Sequence, residues 1–369
     1  MSHRVVVVSN DLVPGQGAAV AAPGVRAHGL ATGLAAHGFE VDLLVDAAAV
    51  ARYEERTGAT VAGGHVVAGP DLMDRLTADG PATVVLINGN QATHVEAHAD
   101  LRYVVDVFAA RHLEVAHLDD EGKTASRLTD DLVSVLSLAS GIIANGTKKA
   151  AYALAWLLQT DRDPRTVPIE VVGPAIGPSF TDAASPPRLL MAGYQQRWGG
   201  FDAAAEALLP LAADGVTIDV VLGSHWGTDH DTEPSPVLAD LLASESVTGY
   251  EPMPYDDLLA LTTGATAFLD IAPWSWERAM STPTRSVVAL SCGVPVVHPP
   301  FTELSPSIED HDAGWLVDPA DGDAVRDAVA EALGDEAVAS AKAEGARRLV
   351  IERFDPKIAT TPLAGLVSA

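Results

Sequence analysis

The segment that begins at Pro283 joins a cation to the start of a helix. Thr284 and Arg285 open an apolar stretch that Gly293 ends, and a short valine-rich strand follows directly. Proline is accepted in the first turn of a helix and glycine after its last turn, so this spacing predicts a helix. Free N–H groups and partial positive charge at the helix start, together with the guanidinium, favour an anion such as phosphate. The same pattern also fits an ordinary helix-to-strand unit with a surface arginine.

Short runs of Val, Ile and Leu alternate with longer Ala- and Leu-rich stretches along the chain. This alternation predicts repeated β-α units and a mainly parallel sheet, and it occurs twice. In the first half the predicted strands are 4–9, 40–45, 83–87, 103–107, 141–144 and 169–172. In the second half they are 188–192, 217–222, 267–271, 294–297 and 314–317.

The length of 369 residues accommodates two domains, each with its own core. A proline-rich stretch between the two halves has little helical periodicity, so the predicted domains are residues 1–180 and 181–353. The late helices are interrupted at Phe354-Asp355-Pro356. We predict that the following segment, residues 354–369, is a helix that packs back on the N-terminal domain.

Composition and net charge exclude several classes of protein and of binding site. The chain is 48% hydrophobic with a formal charge of −27, and this charge argues against nucleic acid or an anionic membrane surface as a partner. No apolar run approaches the ~18 residues of a membrane span and no signal-peptide pattern is seen, so a cytoplasmic protein is predicted. Cys292 is the sole cysteine, which excludes an internal disulfide and a multi-cysteine zinc site. The oligomeric state is left open.

Two such sheets are expected to bind ligands at the carboxyl ends of their strands. Gly15, Gly17, Gly24 and Arg26 follow the first predicted strand. The third position of a dinucleotide fingerprint is Val20 rather than glycine, which argues against a dehydrogenase.

The segment from Asp11 to Val45, with its motif from Pro23 to Val41, resembles the N-terminal signature of GT-B glycosyltransferases of the retaining, family 4-like branch (glycosyl transferases group 1). The segment from Pro283 to Val297 resembles the donor-site helix of that branch, and Ala313 to Pro319 resembles its next strand and acidic loop. The resemblance covers almost the whole chain. It implies an α/β protein with two Rossmann-like domains facing a central cleft, the donor on the C-terminal domain and the acceptor on the N-terminal one. It implies no required metal, and we expect no cofactor besides the nucleotide-sugar co-substrate.

The chain departs from the family at the donor diphosphate. The family follows the first strand of its C-terminal domain with an arginine and a lysine, but here Gly193 is followed by Tyr194, and Gly199 stands at the lysine position. Arg197 is the remaining local cation, and Trp198 beside it is a candidate for stacking on the sugar or the base.

A second departure concerns the ribose. The carboxylate that binds it in the family falls at Val288, whereas Arg285 does occupy the usual lysine position. We therefore predict that Arg197 and Arg285 hold the diphosphate and stabilise it as the leaving group, although either is also explained as a surface guanidinium. The remaining donor-binding predictions are Gly193, Trp198, Tyr250, Glu277 and Thr284.

The acceptor side is predicted on the N-terminal domain. Asp106 is a candidate to orient an acceptor hydroxyl or to accept its proton, and it equally fits a carboxylate that caps the next helix. The acceptor-binding predictions are Gly15, Gly17, Gly24, Arg26, Asn90 and Asp106. The triplets at 229–231 and 310–312 have an Asp-His-Asp pattern that chance explains in a chain with 50 acidic residues, so no metal site is predicted.

These observations predict a glycosyltransferase that moves a sugar from a nucleotide-sugar to a small-molecule or glycan acceptor, with retention at the anomeric carbon. One alternative is a catalytically degenerate relative that only binds a glycan or a partner, because Tyr194, Gly199 and Val288 replace the usual polar groups. Another is a different GT-B reaction, such as sugar epimerisation or pseudo-glycosyl transfer.

Overall fold

The computed structural model describes residues 3–67, 69–116, 123–181, 186–196, 199–227 and 233–369. The chain divides into two compact units. Unit 1 comprises residues 1–175 and 353–369, and unit 2 comprises residues 176–352. No helix in the described ranges is both long and apolar enough to span a bilayer.

Unit 1 is built on a parallel sheet in which one or more α-helices follow every strand except β4 and β7. Its strands are β1 (Arg4–Ser9), β2 (Glu40–Asp46), β3 (His65–Val67), β4 (Ala82–Ile87), β5 (Leu101–Asp106), β6 (Ala139–Ala144) and β7 (Ile169–Val171). Its helices are α1 (Ala22–Ala36), α2 (Ala47–Thr57), α3 (Leu72–Thr77), α4 (Arg111–Val115), α5 (Lys123–Leu138) and α6 (Thr147–Leu157).

The strand order in unit 1 is β3-β2-β1-β4-β5-β6-β7 within the described residues. Strands β1 and β4 are buried at every position, which explains why their sequences are continuous apolar runs rather than alternating ones. Their side chains form a core with those of β5, β6 and α5. The order reverses direction between β1 and β4, so this is where a ligand crevice is expected.

Unit 2 repeats the same plan. Its strands are β8 (Leu189–Tyr194), β9 (Ile218–Gly223), β10 (Val247–Tyr250), β11 (Ala267–Leu269), β12 (Val296–His298) and β13 (Gly314–Leu316). Its helices are α7 (Phe201–Ala213), α8 (Pro236–Leu242), α9 (Tyr255–Thr263), α10 (Trp276–Met280), α11 (Thr284–Ser291), α12 (Ser305–His311), α13 (Gly322–Gly334) and α14 (Glu336–Leu349). The parallel order is β10-β9-β8-β11-β12-β13, which reverses between β8 and β11.

The last residues of the chain belong to unit 1. After a π-helical turn at Val350–Phe354 come α15 (Pro356–Ala359) and α16 (Thr361–Ser368). Helix α15 packs against α1, where a Cβ on Gly33 would lie 2.3 Å from the carbonyl oxygen of Pro356. Glycine in α1 therefore allows the two backbones to approach this closely.

The sequence patterns missed two strands, β3 and β10. Each lies at the outer edge of its sheet, so one of its sides has no strand partner. Val66 in β3 is 45% exposed, and no residue of β10 is buried. Such strands lack the continuous apolar run by which the central strands were predicted.

Candidate functional site

The carboxyl ends of β8 and β11 bring together a cation, a carboxylate and a glycine. Arg285 lies in the first turn of α11, and its Nε donates to Oδ1 of Asp270 at 2.8 Å. Asp270 directly follows β11 and is 2% exposed. The Nη2 of Arg285 also donates to the carbonyl oxygen of Gly199 at 2.7 Å. The predicted donor residue Arg285 is therefore held in a buried ion pair at the switch point of the sheet.

Gly193, near the end of β8, lies next to the Arg285 guanidinium. Its φ of +154° is unfavourable for other residues, and a Cβ there would lie 3.3 Å from Nη1 of Arg285. The Arg285 guanidinium also lies over the Phe201 ring, with 5.1 Å from Cζ to the ring centroid. The structure thus brings Gly193 and Arg285 together, and the absence of a side chain at Gly193 leaves the space that Nη1 occupies.

The N-terminus of α11 keeps hydrogen-bond donors available. Pro283 occupies the capping position and no side chain caps the helix, while Thr284 is half-buried at its first position. Within the described part of the chain, no residue accepts a hydrogen bond from Nη1 of Arg285, whose side chain is 18% exposed. The first-turn N–H groups and Nη1 together can receive an anion.

A row of buried polar side chains extends from Asp270. Ser286 donates to Oδ2 of Asp270 at 2.6 Å and lies 3.2 Å from Nδ1 of His298. The Nε2 of His298 lies 2.9 Å from Oγ1 of Thr302. Because Ser286 gives its proton to the carboxylate, it accepts from Nδ1–H of His298, and Nε2 accepts from Thr302. This network fixes the orientation of the Asp270 carboxylate.

Burial and neighbouring charges shift the pKa values of two groups in this network, Asp270 and His298. Burial by itself would raise the pKa of Asp270, but the positive charges of Arg285 and Arg278 outweigh it and lower that pKa. Burial lowers the pKa of His298 to about 4, against the opposing effect of Asp270. Asp270 is therefore ionised and His298 neutral near pH 7.

On α10, Arg278 lies close to two carboxylates, those of Asp270 and Glu277. Nη2 of Arg278 lies 3.8 Å from Oδ1 of Asp270, and Nε of Arg278 lies 3.9 Å from Oε2 of Glu277. Glu277 is 9% exposed, and its Oε2 makes no hydrogen bond with the described residues. The predicted sugar contact Glu277 is thus a nearly buried carboxylate with an acceptor to spare.

Unit 1 contains a second arginine-aspartate pair. Nε and Nη2 of Arg26 contact Oδ2 and Oδ1 of Asp106 at 2.8 and 3.4 Å, and Nη1 donates to the carbonyl oxygen of Gly173 at 2.6 Å. The Asp106 side chain has 0% exposure. The proposed base therefore has both oxygens engaged by a buried guanidinium, and it would need that pair to open before it could accept a proton from a ligand.

The glycines predicted on the acceptor side divide into two kinds. A Cβ on Gly24 would lie 1.7 Å from the carbonyl oxygen of Leu12, so Gly24 is required for packing inside unit 1. Gly15 and Gly17 are exposed, have positive φ and have open space where a Cβ would stand. Asn90 is exposed, and its Oδ1 lies 3.4 Å from Nη1 of Arg111.

Tyr250 is not brought to Arg285 and Asp270. The Tyr250 hydroxyl contacts Oδ1 of Asp219 at 3.4 Å, and Asp219 lies two positions before Val221, the register partner of Tyr250. The hydroxyl therefore points back towards the amino ends of the strands. Burial first and then Asp219 raise its pKa. The predicted donor residues Arg197 and Trp198 lie outside the described residues, as does the Asp-His-Asp triplet at 229–231.

Asp312 of the second Asp-His-Asp triplet pairs with Lys342, and the described residues contain no group of His, Cys, Asp or Glu arranged to hold a metal.

Sequence reasoning overlooked Asp270, the partner of Arg285, and His298, which Ser286 connects to Asp270. Asp270 and His298 each stand at the end of an apolar strand, at residues 267–269 and 296–298. A polar residue that ends such a run is the signal that would have found them, because carboxyl ends of parallel strands meet at one edge. Arg278 had no comparable signal, since it lies in a short helix.

No family model matches the chain, and no curated protein matches it by sequence. Solved structures do match it. A sucrose-phosphate synthase from Thermosynechococcus elongatus is 14% identical, with a TM-score of 0.69 over 99% of this chain and 98% of that one. WaaG, a glycosyltransferase involved in lipopolysaccharide biosynthesis, is 13% identical, with a TM-score of 0.63 over 99% of this chain and 100% of that one.

A structure from E. coli described as trehalose-6-phosphate bound with UDP-2-fluoro glucose is 11% identical, with a TM-score of 0.64 over 99% of both chains. At these identities the likeness concerns the fold, which agrees with the repeated strand order of the two units. The chain therefore has the GT-B fold of the group 1-like glycosyltransferases, built from two Rossmann-like units.

Proposed function

We propose that the protein is a glycosyltransferase that binds a nucleotide-sugar through unit 2 and transfers its sugar, with retention, to a small-molecule or glycan acceptor. The observation that carries the proposal is the position of Arg285 in the first turn of α11, at the switch point of the sheet. Its Nη1 donates to none of the described residues. This combination offers a guanidinium and helix N–H groups to one anion.

The chemistry follows from this geometry. Negative charge develops on the nucleoside diphosphate as the glycosidic bond breaks, and donors aimed at that charge stabilise the transition state. Arg285 is already oriented by Asp270 and Gly199, so little reorganisation accompanies the reaction. The spare carboxylate oxygen of Glu277 is a candidate acceptor for a donor-sugar hydroxyl. The binding site includes no metal in this proposal.

The first experiment is a thermal-shift screen with millimolar UDP, GDP, TDP and ADP at low salt. A nucleotide that binds only the folded state raises the melting temperature by mass action. The corresponding nucleotide-sugars are then incubated with the protein, and release of nucleoside diphosphate is measured with and without candidate acceptors. Acceptor-dependent release supports transfer, and no melting shift with any of the four nucleotides contradicts the donor site.

The charge balance of unit 2 favours one alternative, a catalytically degenerate binding protein. The cations Arg278 and Arg285 face the carboxylates Asp270 and Glu277, while Val288 at the expected ribose position is 6% exposed and apolar. Such a protein would show a melting shift with a nucleotide or a glycan but no release of nucleoside diphosphate and no change in the sugar. Turnover of any nucleotide-sugar excludes it.

A further inference from the structure

Three side-chain amides at the carboxyl edge of the unit 1 sheet carry a polar atom without a hydrogen-bond partner among the described residues. They are Oδ1 of Asn10, Nδ2 of Asn88 and Oε1 of Gln91. Asn88 and Gln91 are 4% and 5% exposed. An unmatched buried polar atom costs about 1–3 kcal/mol, so three at one edge of a sheet need a reason.

The sheet places these amides together at its switch point. Strands β1 and β4 pair in parallel with Val8 opposite Leu86. Continuing this register by two residues sets Asn10 beside Asn88, and Gln91 follows in the same loop. The strand order reverses between these two strands, which is where α/β sheets bind ligands.

Asn88 is held rigidly by its backbone and by one half of its amide. Its φ is +58°, a left-handed conformation that asparagine tolerates better than most residues. Its N–H donates to the carbonyl oxygen of Asp106 at 2.8 Å, and its Oδ1 accepts from the N–H of Ala109 at 3.0 Å. The side-chain orientation is thereby set, and Nδ2 is left as a fixed donor.

The cations near this edge already have polar partners, which are carboxylates for Arg26 and Arg111 and a carbonyl oxygen for Lys149. Arg26 is bonded to Asp106, Nε of Arg111 lies 3.6 Å from Glu114, and Lys149 donates to the carbonyl oxygen of Phe108 at 2.7 Å. A phosphate or carboxylate ligand is held best by a charged donor that still lacks an acceptor, as Nη1 of Arg285 does among the described residues. The edge instead offers one amide donor and two amide acceptors, and a hydroxyl group both accepts and donates.

We propose that this amide cluster, defined as Asn10, Asn88 and Gln91, binds an uncharged polyhydroxylated ligand of the sugar or sugar-alcohol class. Asn88 donates to a ligand hydroxyl through Nδ2, and Gln91 and Asn10 accept from ligand hydroxyls. The binding claim stands alone. Only the identification of this ligand as the transfer acceptor rests on the proposed function.

The test measures binding of D-glucose and myo-inositol to the full-length protein by saturation-transfer NMR, with glucose 6-phosphate as the charged counterpart. Asn88→Asp keeps the acceptor for Ala109 and tolerates the left-handed backbone, but it removes the Nδ2 donor. Affinity for the uncharged ligands should fall by about tenfold or more. Thr93→Ala, at an exposed position in the same loop, should leave it unchanged.

Gln91→Met separates ligand binding from a structural role. It removes the unmatched oxygen while conserving chain length, so it should raise the melting temperature and weaken binding of the uncharged ligands. A lower melting temperature with unchanged binding would mean that the amide serves the fold alone, and the proposal would be overturned. Absence of binding by the wild-type protein, or a preference for glucose 6-phosphate, overturns it too.

The result of the sugar-binding test can be distinguished from the result of the nucleotide tests on unit 2. Sugar binding that depends on Asn88 and Gln91 supports the amide cluster even if no nucleotide binds. Nucleotide turnover together with sugar affinities unaffected by both variants refutes the amide cluster and leaves the proposed function intact.

Discussion

The two sheets carry nearly the same ion pair at their carboxyl edges. Arg26 pairs with Asp106 in unit 1, and Arg285 pairs with Asp270 in unit 2. Each arginine also donates to a loop carbonyl oxygen and lies over a phenylalanine ring, at 5.9 Å in unit 1 and 5.1 Å in unit 2. The residue types alone would therefore suggest the same role for both.

The hydrogen bonds distinguish them. Nε, Nη1 and Nη2 of Arg26 all have acceptors, and its side chain is 3% exposed. Arg285 donates to the described residues through Nε and Nη2 only, is 18% exposed, and lies against Gly193. A pair in which every arginine nitrogen has an acceptor stabilises the fold, whereas one with a nitrogen that lacks an acceptor can also bind a ligand. The comparison shows that the unused donor, rather than the ion pair, marks the candidate site.

The largest expected effect comes from breaking the unit 1 pair. Asp106→Ala leaves the Arg26 guanidinium buried without its counter-charge, so the free energy of unfolding should fall by about 3–5 kcal/mol. Replacing both residues, Arg26→Met with Asp106→Leu, should recover much of that loss because no charge is then buried. Urea unfolding followed by circular dichroism measures both variants. A loss below about 1 kcal/mol for Asp106→Ala would contradict the structural role.

The buried network of Asp270, Ser286 and His298 in unit 2 should make the free energy of unfolding depend on pH. Because burial lowers the pKa of His298 from 6.5 to about 4, its contribution to stability is complete above pH 6.5 and is lost as the pH falls towards 4. The loss amounts to about 3 kcal/mol at most. His298→Asn should remove this part of the pH dependence. The measurement is the free energy of unfolding of both proteins from pH 7 to pH 4, and parallel curves would show that His298 does not titrate in this way.

Donor affinity should respond to Arg285 and not to a surface arginine. Arg285→Ala removes the spare Nη1 donor, so affinity for the nucleoside diphosphate should weaken by roughly tenfold or more, for a contact worth ~1.5 kcal/mol or above. Turnover should fall further if the contact strengthens in the transition state. Arg326 pairs on the surface with Asp323 and supplies the matched control, Arg326→Ala. Equal affinities of the two variants would place the donor site elsewhere.

The smallest effect is expected at Tyr250, which belongs to neither pair. Its hydroxyl points towards Asp219, so Tyr250→Leu should change nucleotide affinity by less than about twofold, or ~0.5 kcal/mol. Isothermal titration with the nucleotide found in the thermal-shift screen checks this. A tenfold loss would restore the donor role that the sequence predicts for Tyr250.

Central strands were predictable because burial on both faces demands continuous apolar runs. Strand β1 was predicted with its observed ends, and β4 to within one residue. The edge strands β3 and β10 were missed because half-exposed strands carry no such run. The start of α11 was predictable for a local reason, since Pro283 and Gly293 act on the backbone next to them.

The candidate site was predictable only in part. The sequence by itself determined that Arg285 opens a helix and that Asp106 ends a strand, because both facts depend on neighbours along the chain. It did not determine which arginine meets which aspartate, since Arg26 and Asp106 are 80 residues apart. Pairing over such distances depends on strand order and register, which arise only when the sheet assembles. The tertiary structure therefore decided that every nitrogen of Arg26 has an acceptor. It also decided that, among the described residues, Nη1 of Arg285 and one amide atom each of the buried Asn88 and Gln91 have no partner.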